Sequence, residues 1–285
     1  MRFGVLTLPN RPWRALVQTW RALDADGWDA VYVADQLANP YRPGEPWLDA
    51  WACLGAMAMV TSRARIGPLV TSIVFRNPGE VARAALTVDA ASGGRLDLGV
   101  GAGGSPHDHR LAEVDAWGDD ERARRLDTFV RRTRALLEDE ELRPRPEHGD
   151  VPLTLGGNSP GLLALAAELA DAWNTYGGRR LTADAGRAAA EERMARLDEL
   201  CRARGRDPRT LRRSVLLGNR FVAEAPFRSP EAFAEVATAW HALGFDELVV
   251  YADPYYMVPL GEHAPEGIVA SIASEVVPRL REELA

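Results

Sequence analysis

The chain has 285 residues, 46% of them hydrophobic, with 34 basic and 41 acidic side chains and a formal net charge of −7. That length suits one large α/β unit or two small ones, and the mixed, slightly acidic charge excludes the basic footprint of a nucleic-acid or anionic-membrane binder. Every basic residue is arginine, which removes lysine Schiff-base chemistry and the P-loop lysine.

Met1-Arg2-Phe3 leads straight into a strand pattern, and no apolar run approaches the roughly 20 residues that span a bilayer. The expectation is a soluble, cytoplasmic protein. In chain order, strand candidates fall at 2–8, 30–34, 65–74, 96–101, 153–155, 172–175, 211–217 and 247–251. Amphipathic stretches with a period near 3.6 fall between them, at 12–25, 49–61, 79–92, 123–139, 160–170, 183–204 and 230–243, and a last one at 266–284 closes the chain. Regular strand and helix alternation predicts an α/β protein with a parallel sheet, and eight such pairs predict closure into a (β/α)8 TIM barrel, a single domain over 1–285. An open doubly wound sheet is the alternative. Gly27 and Gly93 stand where left-handed residues end the first and third helices. The proline-rich segment 143–150 reads as a short loop before the fifth strand.

Ligands of a parallel barrel gather at the carboxyl ends of its strands, so those ends carry the functional candidates. The stretch 66–104 is a strand, helix, strand unit whose strand ends are small or polar, Thr71-Ser72 and Gly101-Ala102-Gly103-Gly104. Gly99-Val-Gly-Ala-Gly-Gly104 matches the dinucleotide fingerprint, but it follows the fourth strand and precedes Ser105-Pro-His-Asp-His-Arg110, a loop-like run, where the fingerprint would open a helix after the first. The better reading is a strand end kept small so that a flat ligand approaches the backbone. Gly156-Gly-Asn-Ser-Pro160 opens a helix, with Ser159 as N-cap and Pro160 in the first turn. Free amides there favour a phosphate, although a capped connection without ligand uses the same residues.

Asp35 ends the second strand, where a carboxylate is either a ligand contact or a solvent-facing cap. Tyr41, Trp47 and Trp51 flank Gly44-Glu45-Pro46 and form either a wall over the site or loop packing. His107 and His109 flank Asp108; without further ligands at a fitting spacing they read as residues of a solvated loop or as pocket residues or proton donors, with Glu45 a third candidate, and no metal is expected. Cys53 and Cys201, far apart and outside any CxxC, read as reduced structural thiols. No GxSxG elbow is present.

Taken together, Trp28-Asp-Ala-Val-Tyr-Val-Ala-Asp35, Thr61-Ser-Arg-Ala-Arg-Ile-Gly67, Phe75-Arg-Asn-Pro78, the Asp89 to Gly103 stretch, Glu121-Arg-Ala-Arg-Arg-Leu-Asp127 and Gly156-Gly-Asn-Ser-Pro resemble the bacterial luciferase-like family of flavin- and deazaflavin-dependent oxidoreductases. The resemblance implies a luciferase-like TIM barrel. It implies hydride transfer between coenzyme F-420 and an organic substrate, or an FMN-dependent monooxygenase using reduced flavin and O2, or a barrel that serves as a non-catalytic subunit. By position Asp35, Val70, Ser72, Ala102 and Gly103 would face the ring, and Gly156, Gly157, Asn158 and Ser159 the phosphate. A non-proline cis peptide would fall at Leu69-Val70. A small-molecule substrate and a separate reductase are the partners implied, and a homodimer is the default for a symmetric soluble enzyme. Gln36 replaces the histidine of many relatives, and Gly104 a glutamate of the sugar-phosphate dehydrogenase branch. The loop at 143–150 is short for the family and implies an open substrate mouth.

Overall fold

The structure, a computed structural model, describes residues 1–176, 182–218, 224–258 and 262–284. The described residues form nine parallel strands: β1 (Arg2–Thr7), β2 (Ala30–Val33), β3 (Arg65–Pro68), β4 (Thr71–Ser72), β5 (Leu98–Gly101), β6 (Leu153–Gly156), β7 (Ala172–Thr175), β8 (Arg212–Leu217) and β9 (Glu247–Tyr251). They pair in the order β3-β2-β1-β9-β8-β7-β6-β5-β4. The ring closes because β3 and β4 are consecutive pieces of one stave. Ile66 bridges Leu96 at one end, with the Ile66 amide donating to the Arg95 carbonyl at 2.9 Å. Thr71 and Ser72 pair with Val100 and Gly101 at the other. The expected TIM barrel is therefore present and the open sheet is excluded. The run 65–74, expected as one strand, is interrupted at Leu69-Val70, whose peptide is cis as the family resemblance implies.

Helices cover the barrel: α1 (Trp13–Asp26), α2 (Ala50–Val60), α3 (Pro78–Ser92), α4 (Pro106–Leu111), α5 (Asp119–Glu138), α6 (Pro160–Leu169), α7 (Ala183–Ala203), α8 (Pro230–Ala242), α9 (Ile268–Ser271) and α10 (Val277–Glu283). The last amphipathic stretch is not one helix, because a π-helical turn over Ile272–Val276 separates α9 from α10. Two further expectations are corrected. The run after the fourth strand is not a loop: Ser105 caps α4 by accepting the Asp108 amide, and Pro106 occupies its first turn. The next helix starts at Asp119, ahead of 123, because Asp119, Asp120 and Glu121 suit the positive end of a helix. Gly27 and Gly93 end their helices in the left-handed region, with φ of 95° and 68°.

The core lies between barrel and helices. Trp20, Trp28, Trp173, Trp240, Phe3, Phe233 and Phe245 are all buried there, and each phenylalanine contributes about 1.5–3 kcal/mol on removal from water. Cys53 and Cys201 are buried and free, in keeping with structural thiols. No helix among the described residues is long and apolar enough to cross a membrane.

Candidate functional site

Side chains alternate along a strand, so one set points into the barrel. On β5 and β6 that set is Gly99, Gly101 and Gly156, and Gly101 pairs directly with Gly156. Val70, between β3 and β4, fills the space they leave. A methyl group on Gly99 would lie 3.1 Å from Val70 Cγ1 and one on Gly156 2.8 Å from it, while one on Gly101 would overlap Val70 Cγ2. The glycine run after the fourth strand is thus a floor beneath Val70. Gly103, at φ 69°, sits against the next inward residue: an added methyl would lie 2.8 Å from Ser72 Oγ and overlap Val74. The structure therefore brings Val70, Ser72 and Gly103 together as a shelf, with partly buried Ala102 between the two strand-end glycines. Beyond the shelf Gly104 faces open space.

Asp35 follows β2 at the edge of this shelf, and its side chain is fully covered. Its carboxylate accepts from Thr71 Oγ1 at 2.5 Å and from Arg76 Nη2 at 2.8 Å and Nε at 3.3 Å. Arg76 also binds Asp49, the N-cap of α2, at 2.5 Å. Burial alone would push the Asp49 carboxyl up; the Ala52 amide and Arg76 outweigh it and hold the group below its ordinary range. Trp51 is buried, and its indole donates to Thr71 Oγ1 at 3.0 Å, so this member of the aromatic cluster packs and is no part of a wall. Sequence reasoning missed Thr71 and Arg76 as partners of Asp35, and Asp49 as the second carboxylate on Arg76. A buried carboxylate needs a cation, but Arg42, Arg63, Arg65 and Arg76 all follow Asp35 and nothing local selects among them.

Tyr41 and Trp47 are partly buried over the mouth. Tyr41 packs 5.2 Å from Tyr256, and its hydroxyl lies 3.2 Å from that of Tyr251 at the end of β9. The wall is thus shared between the loops after β2 and β9, and its β9 half was not anticipated.

On α4, His109 is buried. Its Nδ1 lies 2.9 Å from the Asp115 carbonyl and its Nε2 3.3 Å from the Gly103 carbonyl, with the Trp117 ring edge-on at 4.9 Å. His107 is half-buried, and its Nδ1 meets Arg110 at 3.0 Å. Glu45 is exposed and pairs with Arg42 at 3.5 Å. Asp108, between the histidines, is buried and accepts the Leu37 amide at 3.1 Å, fastening α4 to the loop after β2. Burial pushes its carboxyl up, aided by the charge of Asp35 and only partly offset by the Leu37 and Ser105 bonds.

Opposite, Ser159 caps α6 by accepting the Leu162 amide at 3.3 Å with Pro160 in the first turn, as the sequence predicts. The Gly157 amide donates to the Asn174 carbonyl at 3.0 Å. Asn158 is fixed at both ends of its amide, donating to the Tyr176 carbonyl at 3.0 Å and accepting from Thr175 at 2.6 Å. Serine and glycine thus serve the turn, and the first turn of α6 is exposed.

Comparison with known proteins fits this geometry. A model of the luciferase-like monooxygenase family matches residues 1–255. A 140-residue stretch is 34% identical to the F420-dependent glucose-6-phosphate dehydrogenase of Segniliparus rotundus, covering 47% of this chain and 41% of that one. An F420-dependent secondary alcohol dehydrogenase in complex with an F420-acetone adduct superimposes with a TM-score of 0.78 at 19% identity, over 98% of this chain and 99% of that one. The FMN-complexed oxygenating constituent of 3,6-diketocamphane monooxygenase from Pseudomonas putida gives 0.71 at 16% identity, over 98% of both chains. The chain spans about half the length of curated relatives it matches. The barrel, its interrupted third stave and the match across nearly the whole chain place this protein in the luciferase-like monooxygenase family.

Proposed function

We propose that the protein is an oxidoreductase that transfers a hydride between coenzyme F-420 and a small organic molecule. The observation that carries this reading is the shelf: Val70 seated on Gly99, Gly101 and Gly156, with Ser72 and Gly103 in contact beside it. Its residues are uncharged and nearly free of side chains, which suits a flat ring laid against backbone. The first turn of α6, with Gly156, Gly157, Asn158 and Ser159, suits a phosphate. When bound, the deazaflavin supplies the two-electron chemistry.

The chain's own residues orient and shield. Val70 and Ser72 set the plane of the ring. Asn158, locked by Thr175 and Tyr176, holds the turn that meets the phosphate. Tyr41, Tyr251 and Tyr256 exclude water from the far side of the mouth. Half-buried His107 and exposed Glu45 are the groups that would exchange a proton with substrate, whereas His109 fixes the Gly103 carbonyl. The protein works as a single barrel domain, a cytoplasmic homodimer served by a separate reductase.

Fluorescence titration with F-420 and with FMN tests this reading. Saturable F-420 binding, followed by anaerobic reduction or oxidation of F-420 with alcohols or other small organic molecules, is the expected result; binding of neither cofactor defeats it. A second reading, an FMN-dependent monooxygenase, is favoured by the equal extent of the fold match to an FMN-complexed oxygenase. Substrate- and reductant-dependent oxygen uptake with FMN would select it.

A further inference from the structure

The geometry points to Asp35, Thr71 and Arg76 as a clamp behind the shelf that positions Val70 and Ser72, and not as groups that touch a ligand. This rests on the reading of the shelf as the cofactor face. The bond directions are fixed by chemistry. The Trp51 indole can only donate, so Thr71 Oγ1, which receives it at 3.0 Å, must spend its single hydrogen on Asp35 Oδ2 at 2.5 Å. The relay therefore runs from Trp51 through Thr71 to Asp35 and ends on a carboxylate. Arg76 closes it, reaching Asp35 with Nη2 at 2.8 Å and Nε at 3.3 Å. The same Nη2 joins Asp49 at 2.5 Å.

Alternation then sets the consequence. With the Thr71 side chain drawn away from the barrel axis, its neighbours Val70 and Ser72 are turned inward. Val70 meets the floor glycines and Ser72 meets Gly103. Asp49 caps α2 by accepting the Ala52 amide at 2.9 Å, so Arg76 ties the end of β2 and the start of α2 to the same point. The Asp35 side chain is 0% exposed and the Arg76 side chain 20%, as expected of parts that act from behind. Thr71 is accordingly a positioning residue: its hydroxyl matters because of where it puts Val70.

The test compares Thr71→Val, Thr71→Ser and Asp35→Asn in the full-length protein, with F-420 and FMN titrated separately. Thr71→Val keeps the shape and loses the relay, so cofactor affinity falls about tenfold, the loss of one hydrogen bond to a charged group. The absorbance band of bound cofactor shifts with it, and Thr71→Ser restores both. Asp35→Asn weakens binding to the same degree with the same spectral change. Isotope-labelled Val70 methyl resonances report the shelf with no cofactor present: they move in Thr71→Val and Asp35→Asn and stay in Thr71→Ser. Unmoved Val70 resonances in Thr71→Val overturn the clamp. So does an Asp35→Asn protein whose affinity and spectrum are intact while hydride transfer is lost, since Asp35 would then touch the reacting groups. If the wild type binds neither cofactor, the oxidoreductase reading falls, and the Val70 resonances still decide the clamp.

Discussion

The two ends of the barrel interior are built on opposite principles. At the amino ends of the strands, Arg2, Arg65 and Arg212 surround Asp97 and Glu247, each carboxylate almost completely buried. Tyr32 donates to Glu247 at 2.9 Å. Burial alone would push the Asp97 carboxyl up, but Arg2, Arg212 and Arg65 outweigh it and hold the group below its ordinary range. Burial pushes the Tyr32 phenol well above its usual value, reinforced by Glu247 and Asp97. At the carboxyl ends of β4, β5 and β6 the inward residues are uncharged, Val70, Ser72, Gly101 and Gly156, and the nearest ion pair, Asp35 with Arg76, stands behind the wall. Charge locks the closed end and is kept off the face of the open one. Stability and ligand contact are thereby assigned to different layers of one barrel.

The contrast breaks most visibly if the floor is filled. Gly101→Val places a branched side chain where Val70 already sits, so binding of F-420 and FMN is lost in calorimetric titration and the protein melts earlier. Next in size, Asp97→Ala strands three arginines at the closed end and lowers unfolding stability by about 3–5 kcal/mol in urea. Cofactor affinity, read at a temperature where the variant is folded, stays at the wild-type value, and a joint loss would erase the division between the ends. A smaller effect separates carboxylates by pH. Asp97 and Asp24 have depressed values in the fold; for Asp24 burial acts upward but is outweighed by the Ala64, Ser62 and Arg63 amides. Their stabilisation is present above the ordinary carboxylate range and is lost as pH falls through their folded values. Asp108 has the opposite sign. Its carboxyl is raised, so its contribution is present at low pH and is lost as pH rises through the folded value. Urea midpoints across pH should therefore show Asp108→Asn flattening the slope on the side where Asp108 ionises, and Asp24→Asn flattening it on the acid side. Smallest of all, Gly104→Ala meets open space and should shift stability by about 0.5 kcal/mol or less, with cofactor binding unchanged in the same titration.

The barrel was legible because its elements announce themselves locally, by periods of 2 and 3.6 and by the capping pair Ser159-Pro160. Ser105-Pro106 is the same pair, yet α4 was missed, since six residues carry too little periodicity beside a glycine run. The break in the third stave was hidden for another reason. Ile66 to Phe75 is apolar apart from Thr71-Ser72, and nothing in its pattern marks that Val70 must turn toward glycines contributed by β5 and β6. Long-range partnerships were the least legible: Asp35 and Arg76 stand 41 positions apart, and Tyr32 and Glu247 stand 215 apart. A lone arginine or tyrosine in sequence does not disclose which carboxylate folding will bring beside it. The shelf residues Val70, Ser72 and Gly103 were reached through family resemblance, and the structure gathers them.

The interrupted third stave has a thermodynamic consequence. β3 is bonded to β2, in the half of the ring that contains β1, whereas β4 is bonded only to β5, in the half that runs on through β6. The Ile66 bridge to Leu96 joins the two sides at the amino end and Val70 packs across them at the carboxyl end, where the shelf lies on that seam. A molecule seated across Val70, Ser72 and Gly103 would bind the closed ring and not the opened one. Its affinity would become resistance to unfolding, about 2.7 kcal/mol at a hundredfold excess over Kd, and the amides of residues 70–73 would be the first to lose hydrogen-exchange protection when it leaves.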